Sequence, residues 1–265
     1  MRKVAITILV SGCAIAGCGK KNNTDRVEYT KANGETTSEI HDVNDGKVGY
    51  KVLGGATVPA EAQRLHNAAR AKGEAGDYES ALALLRQAAK VAPDWPYPYY
   101  DMAFTYLLQG DQTNAFSFYK QTDRREPKGF FTTKTALWTL EREEKGIFPR
   151  GTYLAYVSLE WSEPEKRATI IGQMITNLPA FAPAWKEQAL LVDDKERRST
   201  LFDKALSLEP DPETYGICML NKAAILQSEG KTSEARQMVE KLIQDDASTI
   251  GTKALAQDVL KKFRK

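Results

Sequence analysis

The apolar positions from residue 62 to residue 93 follow the spacing of two successive helices. Leucine and alanine recur three and four residues apart, at Leu65, Ala68, Ala69, Ala81, Leu84, Leu85 and Ala88. A Gly-Asp pair at residues 76–77 interrupts this pattern, and Pro93 ends it because proline cannot donate a hydrogen bond to the preceding turn. The pattern predicts two antiparallel helices whose alanines allow a close approach.

The same pattern recurs 34 residues further along the chain. Residues 76–81 align with residues 110–115, and the same offset carries Ala69 onto Ala103 and Pro93 onto Pro127. A single pair of helices cannot bury its own apolar face, so the pairs must stack. A period of 34 with small residues at fixed places and a closing proline resembles the tetratricopeptide repeat (TPR). The resemblance implies an all-α fold, a TPR-like right-handed α-solenoid of antiparallel helix pairs.

The rest of the chain continues the helical pattern less regularly. Residues 61–129 read as two regular TPR units, 130–181 as degenerate helical repeats, 182–247 as two further TPR-like units, and 248–265 as a C-terminal capping helix with a charged outer face. The degenerate stretch contains three predicted helices, at residues 130–145, 152–161 and 164–177. Three helices do not divide into pairs, and both an inserted element and a drifted repeat half would explain the odd one.

The N-terminus has the features of a secretory signal. Two basic residues precede an apolar run over residues 4–15, which is shorter than the roughly 20 residues that a membrane span needs. Residues 15–18 resemble a bacterial lipobox, which implies removal of residues 1–17 and lipidation of Cys18. An ordinary signal peptide and a short buried helix are the alternatives. The resemblance implies a protein of the bacterial cell envelope, lipid-anchored to a membrane, which would be the outer membrane in a Gram-negative organism.

Residues 18–60 read as a flexible tether. This stretch is poor in large apolar residues and rich in Asn, Thr, Gly, Asp and Glu. Two fragments, residues 26–30 and 47–52, alternate like strands around a turn signal at residues 44–46. An isolated hairpin is marginal in water, so we expect a mostly flexible spacer. The alternative is that the fragments pair or lie across the first repeat.

Net charge argues against nucleic acid as a partner, and the cysteine count argues against an internal disulfide. The chain has 37 Lys+Arg and 35 Asp+Glu, and loss of Arg2 and Lys3 with the signal leaves 35 of each. A formally neutral protein has no global attraction to nucleic acid. Cys13 would leave with the signal and Cys18 would carry lipid, so Cys218 alone remains and cannot form an internal disulfide. We expect Cys218 to be a buried apolar residue.

Nothing in the sequence points to an enzyme, a cofactor or a metal. Of the two histidines, His41 falls in the tether, and His66 has no Cys, Asp or Glu around it at metal-binding spacing. Phosphate-binding, dinucleotide-binding and hydrolase motifs are absent. The acidic pairs at residues 193–194 and 245–246 fall at predicted helix ends, where solvated turns explain them. An active site in the irregular residues 146–161 is a weaker alternative.

The TPR resemblance also implies a binding surface. In TPR stacks, the second, fifth, ninth and twelfth residues of each first helix tend to face a ligand in the concave groove. Those positions here are Gln63, His66, Arg70, Gly73, Tyr97, Tyr100, Phe104, Leu107, Phe131, Lys134, Trp138 and Glu141.

The resulting candidate groove is aromatic with a basic edge, and consists of His66, Arg70, Tyr97, Tyr100, Phe104, Lys134 and Trp138. For Tyr97, Tyr100 and Trp138 the alternative is packing in the core. The Lys and Asn clamp of chaperone-binding TPRs is not present, because the first-unit positions hold His66 and Arg70.

The expected function is therefore that of a membrane-anchored TPR lipoprotein. It would act as a protein-protein interaction scaffold in the bacterial cell envelope and bind a peptide or partner helix in its concave groove. The alternative is a glycan or peptidoglycan receptor that uses the groove aromatics as stacking platforms.

Overall fold

The computed structural model describes residues 7–8, 26–30, 36–37, 47–53 and 58–263. The lipidation site predicted at Cys18 and most of the signal sequence lie outside the described residues. The helices are α1 (Ala60–Glu74), α2 (Tyr78–Val91), α3 (Pro96–Leu108), α4 (Gln112–Arg125), α5 (Thr133–Glu144), α6 (Thr152–Val157), α7 (Pro164–Asn177), α8 (Ala182–Leu191), α9 (Lys195–Leu206), α10 (Pro212–Ser228), α11 (Thr232–Gln244) and α12 (Ile250–Lys262). The strands are β1 (Thr7–Ile8), β2 (Arg26–Thr30), β3 (Thr36–Thr37) and β4 (Lys47–Leu53).

The chain divides into two units by its internal contacts. Unit A is Ala56–Ser158 and holds α1 to α6. Unit B combines Met1–Gly55 with Leu159–Lys265 and holds β1 to β4 and α7 to α12. In both units, consecutive helices pack as hairpins, with pairs α1/α2, α3/α4, α8/α9 and α10/α11. This packing confirms the predicted fold class.

The two repeats of unit A have the same turn. Gly76 and Gly110 both have φ +76°, a left-handed conformation that glycine adopts without strain. The next residue caps the second helix in each copy: Asp77 accepts from the Ser80 N–H at 3.2 Å, and Asp111 accepts from the Asn114 N–H at 3.0 Å. The 34-residue period therefore describes a repeated local geometry.

Small residues line the interface within each pair, as the pattern predicts. Ala81 and Ala88 on α2 are buried, as are Ala103 and Ala115 in the second pair. At equivalent core positions the first pair has a leucine, Leu85, and the second has a tyrosine, Tyr119, and both are fully buried. The second pair therefore encloses the bulkier side chain.

The helices after α4 differ from their predicted bounds. α5 begins at Thr133 rather than residue 130, because Phe131 has φ +48° and so cannot continue a right-handed helix. α6 has only six residues, and a 3-10 turn, Ser158–Trp161, follows it. The buried Glu143 carboxylate fixes the start of α6 by accepting from the Gly151 and Tyr153 N–H groups at 2.8 and 2.7 Å.

In unit B, α12 packs on α10 and α11 and completes a core with them. Thr249 caps α12 by accepting from the Thr252 N–H. Cys218 on α10 is fully buried, as expected, and burial raises the pKa of its thiol to about 12. Within the described residues, no helix combines the length and the apolarity needed to cross a membrane.

The two strand-like fragments of the predicted tether are paired. β2 and β4 form an antiparallel ladder, β3 extends it beside β2, and β1 runs parallel to β4. β4 also contacts the last helix, α12. β1 falls among the residues predicted to be removed with the signal, so the mature ladder would consist of β2, β3 and β4. A flexible spacer stays a prediction for the tether residues outside the described ones.

Candidate functional site

The candidate groove residues lie on the first helices of unit A. His66 and Arg70 are on α1, Tyr97, Tyr100 and Phe104 on α3, and Lys134 and Trp138 on α5. We call the set of half-buried residues Arg70, Tyr97, Phe104 and Phe131 the first-helix face; the first three lie on α1 and α3, and Phe131 lies two residues before α5.

His66 belongs to the core rather than to the surface. It is only 2% exposed, and its Nε2 lies 2.7 Å from Asp101 Oδ2 on α3. Its ring lies 4.9 Å from the Trp95 ring and 5.7 Å from the Tyr97 ring, both edge-on. His66 therefore links α1 to α3 beneath the first-helix face, and the prediction that it contacts a ligand is wrong because other side chains cover it.

Tyr97 is at the centre of the aromatic side chains in unit A. Its ring lies 4.8 Å from Phe130 and 5.4 Å from Phe131, with interplanar angles of 86° and 82°. Its ring also lies 5.5 Å from that of Trp95. Edge-to-face contacts of this kind stabilise aromatic pairs beyond the area they bury. Tyr97 is thus both packed and partly open to solvent.

Tyr100 is fixed both by ring packing and by a hydrogen bond. Its ring packs edge-on against the fully buried Tyr119 at 5.6 Å. The hydroxyls of Tyr100 and Thr132 hydrogen bond at 3.0 Å, and those of Thr132 and Tyr153 at 2.9 Å. Burial, together with the Tyr153 and Tyr100 hydroxyls, raises the pKa of Tyr119 well above its usual range. Tyr100 therefore joins α3 to the start of α5 and to α6.

Phe131 has the most unusual backbone in this region. Its φ of +48° is rare for a bulky residue, and such conformations persist where the surroundings hold them. Its ring lies 4.5 Å from Phe130 and 5.1 Å from Tyr100. The aromatic contacts and the Thr132 hydrogen bonds supply that restraint.

The predicted basic edge is only half present. Lys134 forms an ion pair with Asp123 on α4, with Nζ 2.7 Å from Oδ1, so its charge is compensated by a neighbouring helix. Within the part of the chain that the structure describes, no ion pair or hydrogen bond engages the Arg70 guanidinium. Arg70 lies one helical turn beyond His66 and supplies the cation of the first-helix face.

Trp138 is half-buried and packed against its own helix and the following loop. Its ring lies 5.5 Å from the Phe148 ring, and the Arg142 guanidinium lies 3.9 Å above it. Phe104, one turn beyond Tyr100 on α3, is half-buried. The structure therefore joins Tyr97, Tyr100 and Phe131 through ring contacts, and places Trp138 in a different set of contacts.

Sequence reasoning missed Trp95, Asp101 and Phe130. Trp95 and Phe130 lie just before regular register positions, and Asp101 follows one, so a strict reading of the repeat skips all three. Asp101 could have been found from the sequence. It follows Tyr100, which lies one 34-residue period after His66, and a carboxylate at that place in the next repeat predicts a hydrogen bond to the histidine. The described residues contain no group of three or more His, Cys, Asp or Glu placed to hold a metal ion.

Comparison with known protein families identifies the first helical repeat of unit A. The family model described as "Tetratricopeptide repeat" matches residues 62–94, which span α1 and α2. A search of curated proteins finds no match.

Several solved structures match this chain at low identity and low TM-score. MamA from Desulfovibrio magneticus RS-1 is 17% identical, with a TM-score of 0.34, and the match covers 71% of this chain and 96% of that one. TTC0263, a TPR protein from Thermus thermophilus, is 20% identical, with a TM-score of 0.32 and coverage of 76% and 99%. The TPR2AB domain of yeast Sti1, in complex with pHSP90, is 16% identical, with a TM-score of 0.33 and coverage of 78% and 86%.

The repeat assignment rests on the family model and on the geometry of unit A. The matched residues form the α1/α2 hairpin, and α3/α4 repeats its turn and its cap 34 residues later. The predicted resemblance is confirmed: the chain contains tetratricopeptide repeats.

Proposed function

We propose that this protein is a lipid-anchored TPR scaffold of the bacterial cell envelope, which binds a peptide or partner helix on the first-helix face of unit A. The observation that carries the proposal is the combination of partly exposed aromatic rings with an available cation. Tyr97 and Phe131 are only half-buried although ring contacts fix both of them. Arg70 adds a guanidinium with no partner in the described residues.

Rigid aromatic side chains favour binding because they lose little conformational entropy on contact. Tyr97 is held by Trp95, Phe130 and Phe131, so its orientation is set before a ligand arrives. Aromatic and arginine side chains dominate the energetics of protein interfaces. Arg70 would pair with a carboxylate of the bound segment, since a guanidinium recognises carboxylates through two parallel hydrogen bonds.

A polypeptide ligand suits this face better than a glycan. Stacking on a sugar requires a flat, open ring face, whereas the Tyr97 ring meets Phe130 and Phe131 at 86° and 82°. Crossed rings offer an edge and a face together, which suits the apolar side chains of a peptide or a helix. Glycan binding is therefore an outcome that the experiment below must distinguish.

The anchor is supported by the sequence. The basic start, the short apolar run and the lipobox-like residues 15–18 together favour lipidation of Cys18. More than one acyl chain gives stable membrane attachment, whereas a single chain gives only marginal binding. Replacing Cys18 by serine should produce an unlipidated chain that leaves the membrane fraction, as measured by fractionation and mass spectrometry of the N-terminal peptide.

Site-specific photocrosslinking in the native envelope tests the binding face. A photoreactive residue is placed at Tyr97, and the matched control carries it at Ser117, an exposed position on the second helix of the same hairpin. We expect one discrete polypeptide adduct at Tyr97 and none at Ser117. Arg70→Glu in the Tyr97 probe protein should lower the adduct yield at least severalfold.

Three outcomes would overturn the proposal. Equal adducts at Tyr97 and Ser117 would mean non-specific proximity, and adducts that contain cell-wall sugar would favour the glycan receptor. Absence of any adduct from a folded, lipidated protein would exclude the first-helix face as a binding surface.

A further inference from the structure

Helix α12 is buried on two sides. One side of α12 carries Thr252, Leu255, Ala256 and Val259, all buried and spaced three and four residues apart. This side packs on α10 and α11, and Thr252 lies directly over Gly216 of α10. This first side therefore accounts for the packing of α12 on its neighbouring helices.

A second side of α12 is buried as well. Gly251, Ala254 and Asp258 lie at intervals of three and four residues, about a third of a turn from the first side, and all three are buried. Ala254 also belongs to the hydrophobic core that α12 shares with α10 and α11, whereas Gly251 and Asp258 are buried without belonging to it. β4 also contacts α12, so this strand can cover the second side.

The residue types on this second side suit a strand. Glycine and alanine leave room for the backbone of another element to approach closely. Asp258 is 8% exposed, and its carboxylate pairs with Lys261 at 2.9 Å. The charge of this buried carboxylate is thus compensated within α12 itself.

We propose that the paired strands within residues 26–53 dock on the Gly251, Ala254 and Asp258 side of α12 as the cap of unit B. Such a cap shields buried positions of α12 that its hydrophobic core with α10 and α11 does not include. If Cys18 carries the anchor proposed above, the chain reaches the membrane from the C-terminal end of unit B. The lipid would then hold unit B by its cap instead of through a long free tether.

Hydrogen exchange of the β4 amides tests the docking. A short strand ladder is marginal by itself in water, so its amides are protected only if the ladder is docked. In the lipidated protein we expect amides of residues 47–53 to exchange at least tenfold more slowly than in an unstructured peptide of the same sequence. Gly251→Trp should abolish that protection, because the indole occupies the space of the strand and Gly251 is not part of the hydrophobic core shared with α10 and α11.

The control places the same side chain on the remaining side of α12. Lys253→Trp should keep the β4 protection, since Lys253 is half-buried and lies about a quarter turn or more from each member of the second side. Amides of α10 report whether each variant is folded. Fast exchange of residues 47–53 in the unsubstituted protein, or unchanged protection in folded Gly251→Trp, would overturn the docking.

The Cys18→Ser chain separates this inference from the anchor. Docking predicts the same β4 protection in the unlipidated chain, whereas failure of the anchor changes only the membrane fraction.

Discussion

Replacing Gly216 by alanine tests the closest approach between helices in unit B. A Cβ at this position would lie 2.2 Å from Oγ1, 2.6 Å from Cγ2 and 2.9 Å from Cβ of Thr252. Ordinary contact begins at about 3.4 Å, so α12 would have to move away by roughly 1 Å. Overpacking of this kind costs about 1 to 3 kcal/mol, which equals or exceeds the ~1 kcal/mol that alanine gains over glycine inside a helix.

Gly172 provides a matched control. It lies in the interior of α7, and a Cβ there would meet nothing within 4 Å. Gly172→Ala should therefore raise the free energy of unfolding by about 0.5 to 1 kcal/mol through helix propensity alone. Urea unfolding followed by circular dichroism measures both variants against the unsubstituted chain.

A second substitution locates the clash. Thr252→Ala removes the two nearest atoms but leaves Cβ at 2.9 Å, so it should restore part of the stability lost in Gly216→Ala. The reasoning would be refuted if Gly216→Ala were as stable as Gly172→Ala, because α10 and α12 could then not be in contact at this glycine.

Three further predictions concern groups that are buried or half-buried. Glu143→Gln should lower the free energy of unfolding by about 1 to 3 kcal/mol, as measured by urea unfolding. The reason is that an amide is a poorer acceptor than a carboxylate for the two backbone N–H groups at the start of α6. An unchanged free energy of unfolding would contradict the role of Glu143 in starting that helix. Burial raises the pKa of the Cys218 thiol to about 12. The thiol should therefore react with iodoacetamide at pH 8 about a thousandfold more slowly in the folded chain than in urea. Equal reaction rates would contradict its burial. Burial also raises the pKa of Glu160 to about 7, and Arg167 offsets part of that increase. The folded state therefore binds the proton more tightly than the unfolded state, and stability falls as the pH rises from about 4.5 to 7. Glu160→Gln should accordingly stabilise the chain more at pH 8 than at pH 5 in thermal unfolding, and an equal effect at both would refute the assignment.

The repeat could be predicted from the sequence because its signals are local. Gly76 and Gly110 mark turns that require a left-handed conformation, and the aspartate after each glycine caps the next helix. Alanines at fixed spacing then determine which faces meet. Each of these features acts over a few residues, so a single sequence is enough to locate it.

The features that sequence reasoning missed depend on distant partners. His66 occupies a groove position of the repeat, yet Asp101 and Trp95 from further along the chain bury it. Glu143 reads as one of several charges at a helix end, but eight and ten residues later the chain returns to it with two N–H groups. The contact of β4 with α12 likewise joins segments about 200 residues apart, which no local pattern predicts.

The same contacts explain how one aromatic region can both stabilise unit A and remain available for binding. Tyr100 and Tyr119 are the inner layer, and the Thr132 hydrogen bonds attach the start of α5 to it. That attachment holds Phe131 in a conformation that would otherwise cost about 1 to 3 kcal/mol, and it places the ring against Tyr97. Since the inner layer already restrains both rings, little further ordering is needed when a ligand contacts them. A preformed recognition site needs a surface that is rigid, aromatic and only half-buried before binding, and within unit A the pair Tyr97 and Phe131 meets that description.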